Sequence, residues 1–272
     1  MKTCFVTCAT KSHFPGLQKL ATSLSSTLKS TDSDFCVISP DKIELKGVNF
    51  FYIRPLEAVY KNIKPRDHKH YSIARWHPAV WYKFESFGLT DYDRVIYLDA
   101  DMLVLRDISE LVFDDYLRER PAWFSLNPME EDHSNSNIFY NPTLHKRIVS
   151  YRRTVSTGIM ILNMSNFSEY TKLNLIHLAE QGMTYDGADQ GVVNQWLEEK
   201  GIYFGVLDDK YNHLATKPIN EDTKIVHYFG KKPWEDEEYE SGSIINDSNE
   251  YRVENDRIWK DYKAVSDSVS LI

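Results

Sequence analysis

The stretch RVIYLDADMLVL, residues 94–105, combines the apolar run of a buried strand with two carboxylates in its middle. Asp99 and Asp101 are separated only by Ala100. Residues two apart in an extended strand point to the same side, so these carboxylates are predicted to converge. Repulsion between two neighbouring carboxylates either raises the pKa of one of them or recruits a cation. We therefore weigh a Mg²⁺ or Mn²⁺ site at the end of a strand against a strand that simply runs into a polar turn.

Size and charge restrict the class of protein. The chain has 272 residues, of which 42% are hydrophobic and 26% charged, enough for one large domain with a proper core or for two small ones. A formal net charge of -8 disfavours general binding to nucleic acid or to an anionic membrane.

No apolar run approaches the roughly 20 residues that span a bilayer. The N-terminus lacks the apolar run of a signal peptide, and the three cysteines suggest buried, reduced thiols, so we expect a cytoplasmic location.

Strand-like and helix-like patterns alternate along the first part of the chain. Strands are predicted at FVTCAT (5–10), FCVIS (35–39) and VNFFYI (48–53). A helix is predicted between the first two, because Leu17, Leu20, Leu24 and Leu28 recur at helical spacing. This order predicts a largely parallel sheet with crossover helices.

The remaining elements are predicted in the same way. Further strands are expected at 122–126, 158–163, 203–207 and 225–230, and helices at 80–88, 108–120, 166–182 and 186–201. Residues 60–78 are interpreted as a solvated loop or as a flap over an anionic ligand, and residues 127–147 as a loop insertion. We predict one domain over residues 1–234, with residues 235–272 as a C-terminal extension packed on it or trailing from it.

The motif DGADQG, residues 186–191, has two interpretations. Asp186 is a plausible helix N-cap and Asp189 falls in the first helical turn, so capping alone could account for both aspartates. Capping does not account for Gln190 followed by Gly191. The motif is therefore also a candidate for contact with a ligand.

The motif HYFGKKPW, residues 227–234, is a third candidate. A lone histidine in a strand is usually a core residue. Here a glycine and two lysines follow it closely, which is more typical of a corner that binds an anion and a metal. His227 could complete the coordination of a cation held by Asp99 and Asp101, and Lys232 could neutralise a phosphate.

Together these motifs resemble the glycogenin-like branch of family 8 glycosyltransferases. The resemblance is carried, in order, by RVIYLDADMLVLRDISEL, STGIMILNMSNF with HLAEQG, YDGADQG and HYFGKKPW, and it runs from Phe5 to about Trp234. It implies a GT-A fold, a single Rossmann-like α/β domain with a mixed, mostly parallel central sheet flanked by helices. It also implies retaining transfer of a sugar from a UDP-sugar in the presence of Mn²⁺, with Mg²⁺ as the alternative ion.

The resemblance also implies roles for individual residues. The implied Mn²⁺ ligands are Asp99, Asp101 and His227. The implied donor-binding positions are Cys8, Ala9 and Thr10 around the uridine, Phe14 as an aromatic neighbour, Lys83, Ala100, Ser156, Gly230 and Lys232. The implied catalytic positions are Asp186, Asp189, Gln190 and Lys232. Ser156 departs from the asparagine found in many relatives, so the donor sugar is left open, with glucose as the first hypothesis.

The acceptor is a separate question. Glycogenin glucosylates its own tyrosine, but residues 213–226, HLATKPINEDTKIV, contain no tyrosine. We therefore expect a separate glycan or protein acceptor. The alternatives are a glycogenin-like self-glucosylating primer, a non-catalytic UDP-sugar binding module, and a metal-dependent nucleotidyltransferase or hydrolase. The sequence leaves homodimer formation open.

Overall fold

The computed structural model describes residues 1–63, 79–126, 137–141, 146–150, 154–182, 189–235 and 250–262. Its strands are β1 (Thr3–Cys8), β2 (Asp34–Ile38), β3 (Phe51–Ile53), β4 (Arg94–Leu98), β5 (Met102–Val104), β6 (Ala122–Leu126), β7 (Asn137–Asn141), β8 (Lys146–Ser150), β9 (Val155–Asn163), β10 (Gly205–Val206), β11 (His213–Leu214) and β12 (Ile225–His227). Its α-helices are α1 (Phe14–Thr31), α2 (Glu57–Tyr60), α3 (Glu110–Phe113), α4 (Glu169–Glu180), α5 (Asp189–Glu199) and α6 (Glu250–Asp261). Ala79–Gly88 form a long 3₁₀ helix.

The central sheet is mixed and mostly parallel. Within the described residues its strand order is β10-β6-β9-β4-β1-β2-β3. Strand β9 runs antiparallel to its neighbours β6 and β4, and every other neighbouring pair is parallel. The prediction of a mixed, mostly parallel sheet flanked by helices is therefore confirmed. Parallel order also brings the carboxyl ends of β1, β2 and β4 to one edge of the sheet.

The stretch at residues 94–105 is not one strand, which corrects the predicted geometry. It divides into β4 in the central sheet and β5 in a second sheet of order β11-β12-β5. A turn separates them, and the amide of Met102 donates to the carbonyl of Asp99 at 3.2 Å. Strand β5 pairs antiparallel with β12, with Met102 opposite His227. Asp99 and Asp101 therefore lie together because of this turn, and not because side chains alternate along a regular strand.

Several other predicted elements differ from the observed ones. The predicted loop at residues 127–147 was wrong at 137–141 and 146–147, because β7 and β8 pair antiparallel there. Residues 127–136 and 142–145 of that prediction lie outside the described residues. Apolar, strand-forming residues in NIFYN and KRIVS outweigh the Asn- and Ser-rich composition around them. The predicted helix at 108–120 is a short α3 followed by a 3₁₀ turn. The predicted loop or flap at residues 60–78 is described only as far as residue 63. Residues 64–78 lie outside the described residues.

Two apolar layers cover the central sheet. Alternate strand residues face each layer: Val95 and Tyr97 pack on one side, Ile96 and Leu98 on the other. The first layer is supplied by Ala79–Gly88, α4 and α5, and the second by α1. Among the residues that the structure describes, no helix is both long and apolar enough to span a lipid bilayer.

The start of α1 packs closely against the turn that carries the aspartates. A Cβ built on Gly16 would lie 2.5 Å from the carbonyl oxygen of Ala100 and would overlap the ring of Trp234. The Trp234 indole nitrogen donates to the carbonyl of Ser12 at 3.2 Å, so the ring is held in place. Only glycine fits at this crossing of helix and turn.

We predict that Gly16→Ala destabilises the protein, although replacing a helical glycine with alanine ordinarily stabilises by about 1 kcal/mol. The added methyl group meets a backbone carbonyl, and overpacking of this kind costs roughly 1–3 kcal/mol. Urea titration followed by circular dichroism measures the free energy of unfolding. Ser26→Ala, at an exposed position of the same helix, is the control and should stay within about 0.5 kcal/mol of the parent. A stabilised Gly16→Ala protein would contradict the close approach.

Candidate functional site

The candidate site lies where β1 and β4 end and the chain turns into β5. Asp99 follows β4, and its amide donates to the carbonyl of Gly158 in β9 at 2.9 Å. Asp101 precedes β5, and its carbonyl accepts from the amide of Tyr228 at 3.0 Å. The turn is thus tied to the central sheet at one end and to the segment after β12 at the other. These bonds hold both carboxylates at the sheet edge where ligands of open α/β folds bind.

Asp99, Asp101 and His227 form a candidate metal centre. One ligand atom from each lies within 4.8 Å of the other two, a grouping found once among the described residues. The His227 Nε2 atom lies 3.3 Å from Asp101 Oδ1 and 3.9 Å from Asp99 Oδ2. Two carboxylates and one imidazole suit Mn²⁺, and they suit Mg²⁺ less well because that ion prefers oxygen ligands. The Asp99 side chain is 25% exposed, so the centre opens to solvent on its side.

Asn212 orients the imidazole of His227. Its Oδ1 lies 2.9 Å from His227 Nδ1, and its amide nitrogen donates to Ser125 Oγ at 2.7 Å and to Ser156 Oγ at 3.4 Å. With the amide turned this way, Asn212 accepts from the Nδ1–H group, so Nε2 faces the aspartates and would present its lone pair to a bound cation. Gly158 leaves room for the ring, since a Cβ there would lie 2.7 Å from His227 Cε1.

Lys232 is the cationic partner of Asp101. Its Nζ atom forms a buried ion pair with Asp101 Oδ2 and donates to the carbonyl of Tyr228 at 3.2 Å. Burial raises the pKa of Asp101, but Lys232 and His227 outweigh burial and hold that pKa well below its usual range. Asp101 is therefore ionised at neutral pH, as a metal ligand must be.

Lys83 links the metal centre to α5. Its Nζ atom lies 3.1 Å from Asp99 Oδ1 and 2.7 Å from Asp189 Oδ2. The Tyr97 hydroxyl also donates to Asp99 Oδ1 at 2.9 Å, and the Thr157 hydroxyl donates to Asp189 Oδ2 at 2.6 Å. Burial lowers the pKa of Lys83, but Asp189 and Asp99 outweigh burial and raise it above its ordinary value. A single ammonium between two carboxylates leaves the group with a net negative charge.

Asp189 is the first residue of α5 and is buried. Burial raises its pKa above the usual value, against the lowering influence of Lys83, while the negative charge of Asp99 adds to the rise. The next residue, Gln190, is partly buried, and its carbonyl accepts from the Asn194 side chain at 2.8 Å. Asp186 lies outside the described residues.

The residues predicted to contact uridine lie at the end of β1 and just beyond it, on the same sheet edge. Cys8 is half-buried, its thiol lies 3.5 Å from the carbonyl of Ala79, and burial raises the thiol's pKa. Ala9 donates its amide to the carbonyl of Ile38 at 3.1 Å, and the carbonyl of Thr10 accepts from the amide of His13. Together these bonds hold the segment after β1 against β2 and the start of α1.

The other predicted donor-binding residues occupy distinct positions. Phe14 begins α1 and packs partly against the apolar layer on that side of the sheet. Ser156 is buried in β9 and belongs to the Asn212 network. Ala100 is the buried middle residue of the turn, and Gly230 has a φ of 82°, which favours glycine.

Sequence reasoning missed three residues of this site. Tyr97, Thr157 and Asn212 donate to or orient Asp99, Asp189 and His227. Tyr97 lies two residues before Asp99, and this spacing at the end of β4 was an available signal for a side chain on the same face. No local pattern points to Thr157 or Asn212, because both meet their partners through tertiary contacts.

Comparison with known sequences identifies relatives. The sequence model described as Glycosyl transferase family 8 matches residues 4–238. The chain is similar to UDP-glucuronate:xylan alpha-glucuronosyltransferase 1 of Arabidopsis thaliana, 28% identical over 168 residues, which are 56% of this chain and 20% of the relative. It is also similar to Glycogenin-1 of Mus musculus, 27% identical over 165 residues, 56% of this chain and 40% of the relative. The matches thus span less than half of these relatives.

Comparison with solved structures identifies the fold as GT-A. Galactosyltransferase LgtC, in complex with donor and acceptor sugar analogs, matches with a TM-score of 0.61 and 20% identity, over 86% of this chain and 90% of that chain. Glycosyltransferase GlyE of Streptococcus pneumoniae TIGR4 matches with a TM-score of 0.58 and 16% identity, over 96% of this chain and 62% of that chain. At such low identity these likenesses concern the fold alone.

We predict that Asn212→Ala weakens metal binding about 10- to 100-fold, because His227 then loses the partner that fixes its tautomer and orientation. Calorimetric titration with Mn²⁺ measures the change. Asn166→Ala, at an exposed residue just after β9, should leave the metal affinity unchanged. Equal Mn²⁺ affinity in Asn212→Ala and the parent would exclude the orienting role.

We predict that Lys83→Met lowers the free energy of unfolding by about 3–5 kcal/mol, because it leaves Asp99 and Asp189 as uncompensated carboxylates. Adding Asp189→Asn should restore part of the loss, since one of the two charges is then gone. Urea titration of the two single variants and the double variant measures this coupling. Lys29→Met, at an exposed position of α1, is the control. A Lys83→Met protein as stable as the control would contradict the bridging role.

Proposed function

The chain belongs to glycosyl transferase family 8, and we propose that it transfers a hexose from a UDP-sugar to a separate glycan or protein acceptor with retention of anomeric configuration. The observation that carries the proposal is that a candidate metal centre lies directly beside the buried carboxylate of Asp189. Asp99, Asp101 and His227 form a candidate metal centre, and Lys83 connects that centre directly to Asp189. A diphosphate at the metal centre would thus place its sugar beside the start of α5.

The metal ligands in this proposal are Asp99, Asp101 and His227. Bound there, Mn²⁺ would supply Lewis-acid stabilisation of the charge on the departing diphosphate. The fit rests on the donor set itself: two carboxylates and an imidazole whose other nitrogen is already bonded to Asn212. Since this arrangement turns Nε2 toward the aspartates, the three side chains suit a cation as a group.

Lys232 binds the diphosphate in this proposal. Its ammonium is buried beside Asp101, and a fixed cation in such a site stabilises developing negative charge with little reorganisation. Gly230 and Lys232 would form the corner that receives the phosphates, and Cys8, Ala9 and Thr10 would contact the uridine. Phe14 and Ser156 border these donor positions.

Asp189 faces the sugar in this proposal. Same-face substitution develops positive charge at the anomeric carbon, and a nearby carboxylate stabilises that charge. Lys83 and Thr157 hold the Asp189 carboxylate from the protein side, which limits its rotation. Either a covalent nucleophile or a purely electrostatic partner satisfies this geometry. Gln190 and Asp186 are proposed as neighbouring contacts to the sugar.

The donor sugar and the acceptor are separate parts of the proposal. Glucose is our first hypothesis for the donor, and the names of the relatives add glucuronate and galactose to the sugars worth testing. The absence of tyrosine from residues 213–226 favours a separate acceptor over self-glucosylation. We also propose that residues 1–234 form the glycosyltransferase domain and that the protein acts in the cytoplasm.

We predict that purified protein with Mn²⁺ releases UDP from one sugar nucleotide in a panel of UDP-glucose, UDP-glucuronate, UDP-galactose, UDP-N-acetylglucosamine and UDP-xylose. Slow hydrolysis stands in for transfer when no acceptor is supplied. Chelation of the metal should abolish release, and Asp101→Asn should reduce it about 100-fold or more, because the variant loses both a metal ligand and the partner of Lys232.

Two variants complete this experiment. Asp189→Asn should retain UDP binding while losing release, because Asp189 is proposed to face the sugar and not the nucleotide. Asp115→Asn removes a carboxylate that is 82% exposed and should behave as the parent does. If the parent neither releases UDP nor binds it in calorimetry, the catalytic proposal fails and a non-catalytic protein is favoured.

A further inference from the structure

Helix α6 packs behind the turn that carries Lys232. The Tyr228 hydroxyl donates to the carbonyl of Asn255 at 2.7 Å, and the Asn255 side chain donates to the carbonyls of Ala215 and Lys217 at 2.8 and 2.9 Å. The rings of Trp259 and Trp234 lie 5.2 Å apart. The helix is therefore anchored to the small sheet and to both ends of the segment at residues 228–234.

Arg252 makes the most specific of these contacts. Its guanidinium donates from Nη1 to the carbonyl of Phe229 at 3.1 Å and from Nη2 to the carbonyl of Lys231. These carbonyls flank Gly230, whose φ of 82° turns the chain. The Nε atom is held by Asp256 Oδ1 at 2.8 Å, and the Arg252 side chain is only 6% exposed. The planar guanidinium thus donates to the carbonyls on both sides of Gly230, where the backbone is left-handed. A lysine ammonium cannot reproduce this geometry.

The turn held by Arg252 leads directly to Lys232. Residues 229–231 connect β12 and His227 to the Lys232 side chain that pairs with Asp101. Lys232 Nζ also donates to the carbonyl of Tyr228, so the turn closes on itself. A change in the turn would therefore move the ammonium relative to Asp101, without altering either metal-ligating aspartate.

We propose that Arg252 is a positioning residue for the diphosphate corner, and that α6 is in this way a functional part of the donor site. The inference rests on the proposed function, because it assigns Lys232 to the diphosphate of a UDP-sugar. The guanidinium holds the turn around Gly230 in the shape that directs Lys232 toward Asp101. Donor affinity thus depends on a residue that contacts neither the nucleotide nor the metal.

The test compares Arg252→Lys and Arg252→Gln with Arg257→Lys and Arg257→Gln. Arg257 lies on the same helix, but its side chain is 71% exposed and pairs with Glu254 at 3.8 Å. Calorimetry with Mn²⁺ measures the Kd for UDP, and ligand-detected NMR measures the Kd for uridine, which lacks the diphosphate. Hydrogen exchange measures the protection of the backbone amides of residues 229–232 and of Trp234, since Pro233 has no amide hydrogen. Thermal unfolding reports whether each variant is folded.

We expect both Arg252 variants to weaken UDP binding about tenfold or more and to speed exchange at residues 229–234, because charge-assisted hydrogen bonds are lost. Uridine affinity should not change, whereas general loosening of the structure would weaken both ligands equally. The Arg257 variants should match the parent. If Arg252→Gln does not fold, Arg252→Lys carries the test, since it keeps the charge and the aliphatic stem.

Four results would count against the inference. Unchanged UDP affinity in a folded Arg252 variant would remove Arg252 from the donor site, while leaving the proposed function intact. An equal loss of UDP and uridine affinity would make Arg252 a general structural residue. If the parent itself binds no UDP, the proposed function fails, and exchange alone then decides whether Arg252 orders the turn. Unchanged exchange at residues 229–234 would refute that role as well.

Discussion

Charge compensation around buried carboxylates is the constraint on which the rest of this structure depends. Asp101 and Asp189 are almost fully buried, and Asp99 lies between them with only part of its side chain in solvent. Isolated charges at such depth would be expensive, because desolvation disfavours the ionised form. Lys232 and Lys83 offset that cost at opposite ends of the group. The remaining negative charge favours binding of a cation. The charges that the fold must compensate are therefore the same charges that would hold the proposed metal ion.

The same constraint explains why the chain changes sheets at this point. A continuous strand would keep the aspartates in one ladder, far from β12. The turn at Asp99–Asp101 instead sends β5 into the small sheet, where Met102 pairs opposite His227. That pairing brings the imidazole to the aspartates, and Gly158 and Gly16 leave the space that the close approach requires. The turn that changes sheets and the carboxylates that need compensation therefore involve the same residues, Asp99 to Asp101.

The contacts of α6 extend this dependence to the C-terminal part of the chain. Residues 235–272 were expected only as an extension packed on the domain or trailing from it, yet α6 contributes Trp259 to a core shared with Leu103, Val226 and Tyr228. A surface helix of ordinary polarity is stabilised mainly by such packing and not by intrinsic propensity. Because the packed face borders Gly230 and Lys232, stability and ligand binding become linked in this part of the fold.

The sequence by itself determined the α/β class, most of the strands and helices around the central sheet, and the residues named as the principal site candidates. Hydrophobic periodicity, glycine positions and residue type are local signals, so Asp99, Asp101, Asp189, His227 and Lys232 could be chosen without coordinates. Element ends, the strands within residues 137–150 and the break after Leu98 could not be predicted, because pairing between distant segments decides where a strand stops. Only the tertiary structure decided that Lys83 joins two carboxylates, that Asn212 orients His227 and that Arg252 grips the turn before Lys232. These contacts join residues far apart in the chain, and no local pattern encodes which buried charge will meet which partner.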